Sequence, residues 1–420
     1  MCVLPLLAGG AEIPEPVLPA GVGVNIHFVT GQEKDLDMIA SAGFKFVRMD
    51  FHWEAIEASK GEYHWAGYEE LLANLEKRGL RAILILDYSH PLYEESVTSP
   101  NPMTGKAHKN TASPQHPDSI AAFARWAAAA AKHFAGRHVL WEIWNEPNGN
   151  FWSPKPDAQQ YTTLALATAK AMREAEPQAA IIGPASSGFP WQFLETFLKS
   201  GMLESLDAVS VHPYRNPHSP PETAASDYQK LRALIERYAP PSKKDRIPIL
   251  SGEWGYSTFK RGVSLETQAA FAARQQLANL LNGVPLSIWY DWKNDGADLN
   301  ENEHNFGTVL PDLTPKPAYV AIQTLTGELA GYRIARRLAV PSDKDYVLLC
   351  TNQAGEQELA AWTLGEPHSA SLEIILKGEQ KPTAVSGNGD PFTPKIESSR
   401  LLLDLGPAPQ YVKLGKATLQ

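Results

Sequence analysis

Two glutamates stand at the ends of apolar, strand-like runs far apart in the chain: Glu146 in "HVLWEIWNE" and Glu253 in "IPILSGEWG". Paired carboxyl groups suit glycoside hydrolysis. One protonates the departing glycosidic oxygen, and the other attacks the anomeric carbon or activates water. For that division of labour their proton affinities must be driven apart by environment and mutual repulsion. Neighbouring residue types fit. Asn145 precedes Glu146 and can hydrogen-bond a sugar hydroxyl. Arg48, His90 and His212 lie at or near the ends of other apolar runs, and such groups can hold a carboxylate ionised. Tyr214 follows His212 by two residues, and Trp289 and Trp292 offer apolar faces on which a pyranose could lie.

Distant residues converge only if the fold brings those run ends together. Eight short apolar runs recur, at 21–28, 44–51, 80–88, 138–146, 178–186, 206–214, 247–255 and 284–292. Nearly continuous apolar runs of this length suit strands covered on both faces, as in a parallel sheet. Helical patterns lie between them. "TGQE" at 30–33 has the form of a capping box. Tyr68, Leu71, Leu72 and Leu75 repeat at helical spacing before Gly79 stops the pattern. Residues 119–134 are alanine-rich, and 264–283 end in Asn-Gly. Eight strand–helix units predict an α/β fold, a (β/α)8 TIM barrel, over 21–330. A doubly wound sheet competes, but no G-x-G-x-x-G follows the first run. In a barrel, functional side chains gather at the C-terminal strand ends, which places Glu146 and Glu253 on one face. From 331 to 420 short alternating runs divided by "NQAG", "GEPH" and "GNGD" predict a small C-terminal antiparallel β-sandwich.

The motifs resemble those of clan A glycoside hydrolases. "WEIWNEPN" is similar to their acid/base segment on strand 4, and "SGEWGYS" to their nucleophile segment on strand 7. "VHPYR" resembles the strand-6 segment, "FVRMDFHWEAIE" the strand-2 segment with its arginine, and "NFGTVLPDLTPKPAYVAIQTL" the run from strand 8 into the last helix. The likeness covers about residues 20–330 and points first to family 39, with family 5 as second choice; the trailing β-domain resembles the sandwich appended to family 39 enzymes. It implies net retention of configuration through a covalent glycosyl-enzyme, with Glu146 as acid/base and Glu253 as nucleophile. No cofactor and no metal are implied.

Blander roles exist for each residue. Glu146 could cap a turn, Glu253 and Arg48 could be structural ion pairs, His212 could shape the loop at Pro213, and Tyr214 and His90 could pack. Most tryptophans belong in the core, since large apolar side chains are mostly buried. Trp152 and Trp191, lying past the ends of runs four and five, are the better platforms for further sugars. Tyr88, Tyr93 and the polar stretch 91–117 could wall the cleft, because long loops in compact domains are often functional. A metal-dependent barrel hydrolase needs several converging ligands, whereas the first run carries His27 alone. A non-catalytic sugar-binding barrel is a third class, since fold does not fix function.

A net charge of −9 does not advertise a nucleic-acid partner, which would favour a basic face, and no stretch approaches the ~18 apolar residues of a membrane helix. Cys2 and Cys350 have no metal-type spacing. Residues 1–20 read as an N-terminal extension or the remnant of a secretory signal, which suggests a secreted or periplasmic protein, with the cytoplasm as alternative. The expected partner is an oligosaccharide or polysaccharide. An endo-acting glucanase and an exo-acting xylosidase both fit these residues.

Overall fold

The computed structural model describes residues 13–375, 382–415 and 418–419. Eight parallel strands close into a barrel in chain order: Val22–Asn25, Phe46–His52, Arg81–Asp87, Leu140–Ile143, Ala180–Ser187, Ala208–His212, Ile249–Trp254 and Ser287–Trp289. Each of the eight apolar runs supplies one strand. The fold is the TIM barrel that the runs predict.

Side-chain alternation sorts each strand into two layers. On strand two, Phe46 points into the barrel floor with Ile83, Leu140, Ile182, Leu250 and Ile288 of other strands. Val47 and Phe51 point outward into the larger core under the helices. The helix Pro117–His133 seats Trp126 against Phe51 and Trp53, with ring centroids 5.6 Å apart in both cases. Its buried alanines, among them Ala127, Ala130 and Ala131, give that face little bulk to hold it away from the sheet. Ser264 caps the helix Leu265–Leu281, accepting a 3.1 Å hydrogen bond from the Thr267 amide.

Three local expectations change. The helix Glu33–Ser41 begins two residues later than the capping box requires: its N-cap is Gln32, left-handed at φ 57° and without a side-chain cap, so Thr30 does not cap it. Within 91–117 the chain forms a hairpin, Ser96–Pro100 against Ala107–Thr111. Asn101 closes its turn by accepting from the amides of Met103 and Thr104. Residues 13–20 are no loose extension. Leu18 is buried and exchanges backbone hydrogen bonds with Gly331 and Tyr332, and Ile13 packs under the barrel floor. Residues 1–12, with the apolar leader-like run, lie outside the described residues.

After the last barrel helix, Pro317–Glu328, the chain builds antiparallel sheets around their own core of Val347, Leu349, Leu359, Leu401, Leu403 and Val412. This is the predicted β-sandwich. A buried network ties it to the barrel. Glu222 takes a bidentate pair from Arg274 (2.8 and 2.7 Å) and a hydrogen bond from Trp362 Nε1, while Arg274 also reaches the Pro407 carbonyl. A fork-shaped guanidinium and an indole N–H together satisfy a carboxylate that would otherwise be costly to bury.

Candidate active site

Above the apolar floor the inward positions become charged. Arg48, one alternation above Phe46, is 1% exposed. Its Nε donates to Glu142 Oε2 (2.6 Å), Nη1 to Glu253 Oε2 (2.6 Å), and Nη2 to Asn145 Oδ1 (2.8 Å). Burial works against its charge, but Glu142 and Glu253 outweigh that and hold the guanidinium protonated. Glu142 is fully buried and faces Arg48, out of reach of the cavity, so it is a partner of the arginine.

Glu146 reaches the rim by a backbone reversal. Strand four stops at Ile143; Trp144 (φ 69°) and Glu146 (φ 45°) are left-handed, and the Glu146 amide is pinned to the Ala185 carbonyl at 3.0 Å. Non-glycine residues in this region cost on the order of 1–2 kcal/mol each, a strain that the surrounding structure sustains. Its carboxylate lies 2.9 Å from His212 Nδ1. The other ring nitrogen, Nε2, is 3.2 Å from Arg48 Nη2. A guanidinium can only donate, so Nε2 accepts and the imidazole proton sits on Nδ1, aimed at Glu146.

Glu253 is held differently. Besides Arg48 it receives the Tyr214 hydroxyl at 2.9 Å. Burial, then the charge of Glu253, raises the Tyr214 pKa well above the usual phenol value, so this group stays a donor. Gly252 makes room beneath: a Cβ there would sit 3.1 Å from Glu142 Oε1 and 3.4 Å from the His212 ring. At Gly255 a Cβ would collide with the Tyr290 carbonyl at 1.7 Å, so the end of strand seven can pass strand eight only as glycine. Glu146, His212 and Glu253 each offer a ligand atom within 4.8 Å of the others. The two carboxylates thus face each other across a cavity of about 460 Å³.

Their environments are unequal. Glu253 meets one positive charge and two donors, whereas Glu146 meets a single imidazole N–H. Such asymmetry separates the roles of two carboxyl groups. The same three residues could in geometry hold a cation, but Arg48 already occupies Glu253 Oε2, so an added ion would face its charge. A second set, His27, Asp291 and Asp295, brings its ligand atoms equally close, and of these His27 lines the cavity. Asn145 is oriented at both ends: its oxygen faces Arg48, and its amide donates to the Tyr88 hydroxyl at 3.0 Å.

Six of the nine residues singled out in the sequence, Arg48, Asn145, Glu146, His212, Tyr214 and Glu253, form this one network. Three do not join it. His90 spends both ring nitrogens on backbone: Nδ1 accepts from the Leu92 amide of its own loop, so Nε2 donates to the Glu57 carbonyl in the segment after strand two. Trp289 faces outward in register with Val24 and Trp254, fully buried in the outer core. Trp292 folds beneath the loop, where its buried indole N–H needs an acceptor and finds Asp35 at 2.9 Å. Tyr290, in alternation with the inward Ile288, takes the place at the cavity, and parity fails only further on, at Trp292, because strand eight is three residues long. Trp152 is core, and Trp191 lies under Lys230, 3.8 Å from its ring centroid; neither lines the cleft. Tyr93 stacks on Trp53, while Tyr88, Pro102 and Met103 do wall the cavity.

The sequence reading missed Asn25, Asp50, Tyr290 and Glu303, all of which line the cavity. Asp50 was accessible in principle, since it shares its strand face with Arg48. Glu303 opens a single 3-10 turn, Glu303–Asn305, after strand eight and carries no periodic signal.

Comparison with known proteins adds the following. The cellulase model, glycosyl hydrolase family 5, matches residues 15–296, more than half of the chain. A beta-xylosidase of Geobacillus stearothermophilus is 29% identical over 173 residues, 35% of this chain and 33% of that protein. A beta-xylosidase of Caldicellulosiruptor saccharolyticus is 24% identical over 267 residues, 58% of this chain and 52% of that protein. The chain thus spans from a third to half of these relatives. Among solved structures, a family 39 glycoside hydrolase from Bacteroides cellulosilyticus WH2 superposes with a TM-score of 0.78 at 24% identity, covering 97% of this chain and 83% of that one. A family 39 beta-xylosidase from Caulobacter crescentus gives 0.67 at 18% identity, covering 97% and 98%. At these identities the two structures bear on the fold, and both of the families that the motifs suggested reappear.

Proposed function

This chain belongs to the cellulase family, glycosyl hydrolase family 5, and from that premise we propose that it is a retaining β-glycosidase acting by double displacement. Glu253 attacks the anomeric carbon while Glu146 gives its proton to the departing oxygen. The glycosyl–Glu253 ester is then cleaved by water, which loses its proton to Glu146, and Glu253 leaves as the carboxylate. The observation that carries this reading is the pair itself: two carboxylates with oxygens within 4.8 Å, one clamped by Arg48 and Tyr214, the other touched by His212. A short gap suits a nucleophile, because the carboxyl groups of inverting enzymes stand about 6.5–9.5 Å apart to admit a water. Asn145, fixed by Arg48 and Tyr88, presents its amide towards a sugar hydroxyl.

The substrate class is an oligosaccharide or polysaccharide with β-linkages, and the relatives named beta-xylosidase make β-xylosides the first to try. The test is the configuration of the first-formed product, read by NMR before mutarotation. Hydrolysis of a β-glycoside releases the β-anomer. Release of the α-anomer rejects a covalent intermediate on Glu253, and binding without release of reducing ends rejects the enzyme reading altogether. Export from the cytoplasm is part of the proposal. It rests on the apolar run at 3–8 and is tested by cell fractionation; activity confined to the cytosol rejects it.

A further inference from the structure

Strands one and eight meet where the barrel closes, paired from Val22 with Ser287 to Val24 with Trp289. Just beyond this pair the chain sets His27 on one side of the seam and Asp291 and Asp295 on the other. The backbone there is fixed. The Trp292 amide donates to the Asn25 carbonyl at 3.0 Å, and the Thr308 amide to the Asp291 carbonyl at 3.1 Å. His27 packs edge-to-face against Tyr290, with ring centroids 5.6 Å apart, and its side chain is 41% exposed. Each of the three side chains offers one ligand atom within 4.8 Å of the other two.

Asp291 is the group that points to a ligand. It is 1% exposed, yet neither of its carboxylate oxygens accepts a hydrogen bond of ordinary geometry from the described residues. A carboxylate buried in that state is costly. Lys316 acts on it through charge alone, because its ammonium already donates to Thr258, Asn294 and the Asn305 carbonyl. His27 Nε2 stands 3.4 Å from Asp291 Oδ2. That exceeds the length of a charge-assisted hydrogen bond, about 2.7–2.9 Å. It matches two ligands of one tetrahedral ion, which bonds of about 2.0–2.2 Å place roughly 3.3–3.5 Å apart. Asp295, exposed and four residues further along the same loop, supplies a second carboxylate. An imidazole nitrogen with two carboxylates suits zinc or manganese better than calcium or magnesium, which take oxygen ligands.

We propose that His27, Asp291 and Asp295 bind one divalent transition-metal ion, which ties strand one to the loop after strand eight. The role is structural: no step of the double displacement runs through the ion, and the site stands apart from the hydrolase reading. Burial works against charge on His27, but Asp291 outweighs it and lifts the imidazole to about 9, so the ion must displace a proton. The full chain is therefore stripped with a chelator, dialysed and titrated calorimetrically at about pH 8 with zinc, manganese, calcium and magnesium chlorides. Zinc or manganese binds at one ion per chain with a micromolar Kd, and calcium and magnesium bind at least about tenfold more weakly. Saturation raises the melting temperature by about 3 °C. His27→Gln and Asp295→Asn, both at exposed positions, each weaken binding at least about tenfold and lose that rise. Glu146→Gln keeps both, because its carboxylate belongs to the catalytic cluster. Four results overturn the site: no stoichiometric binding at millimolar ion, calcium or magnesium preferred, binding unchanged in both variants, or binding lost in Glu146→Gln. The hydrolase reading survives any of them.

Discussion

Replacing Glu253 with alanine abolishes turnover, and added azide restores part of it by forming a glycosyl azide of inverted, α configuration. The loss exceeds about 10⁴-fold in kcat, beyond the 10²–10⁴ typical of a single proton-transfer group, because the covalent route itself disappears. The structure makes this variant interpretable. Arg48 keeps Glu142 at 2.6 Å and Asn145 at 2.8 Å when Glu253 is gone, so no buried charge is left unpaired. The vacated space faces the cavity, where a small anion can approach the same face of the sugar beside the remaining guanidinium. Inversion in the rescued product is the diagnostic readout, since only an anion standing in for the nucleophile gives it. A Glu253→Ala protein with full activity removes Glu253 from the mechanism.

The second large effect belongs to Glu146→Ala, and it depends on the leaving group. For an unactivated alkyl or sugar leaving group, kcat/KM falls by about 10²–10⁴, the worth of a positioned general acid. For a dinitrophenyl glycoside, whose leaving group needs no proton, the first step survives and the glycosyl-enzyme accumulates, visible as a burst. Azide then intercepts that intermediate and yields the retained, β-glycosyl azide, opposite to the product from the Glu253 variant. Equal losses on activated and unactivated substrates contradict the proton-donor role. Glu146 is 16% exposed and its partner His212 keeps the contact to Arg48, so the variant folds.

The barrel was legible because hydrophobic period and burial are the same physical fact: strands covered on both faces must be apolar, and all eight runs became strands. Site residues close to a strand end followed from that register. Arg48, His212 and Glu253 stand where strand geometry puts them, and Asn145, Glu146 and Tyr214 lie just past the ends of strands four and six. Reading failed where the strand ran out. Strand eight stops at Trp289, which faces the outer core; Tyr290 keeps the inward alternation of Ile288 and reaches the cavity, and the turn beyond it buries Trp292. His90 failed for a related reason: in a loop, nothing in the sequence says which way a ring points, and its two nitrogens are consumed by Glu57 and Leu92. The hairpin over the cavity was hidden by its polarity, since Ser96–Pro100 and Ala107–Thr111 pair mainly with each other and present no apolar face to a core. Glu303 and the meeting of His27 with Asp291 and Asp295 depend on how loops fold against one another, which no local pattern encodes.

The most direct measurement of the central claim is covalent trapping. A 2-deoxy-2-fluoro β-glycoside with an activated leaving group forms the glycosyl-enzyme but hydrolyses it slowly, and peptide mass spectrometry then locates the sugar. The expected result is one label per chain, on the peptide containing Glu253, with none in Glu253→Ala. A label on Glu146 or Glu142, or an enzyme that turns over the substrate while never carrying a label, contradicts the double displacement at Glu253.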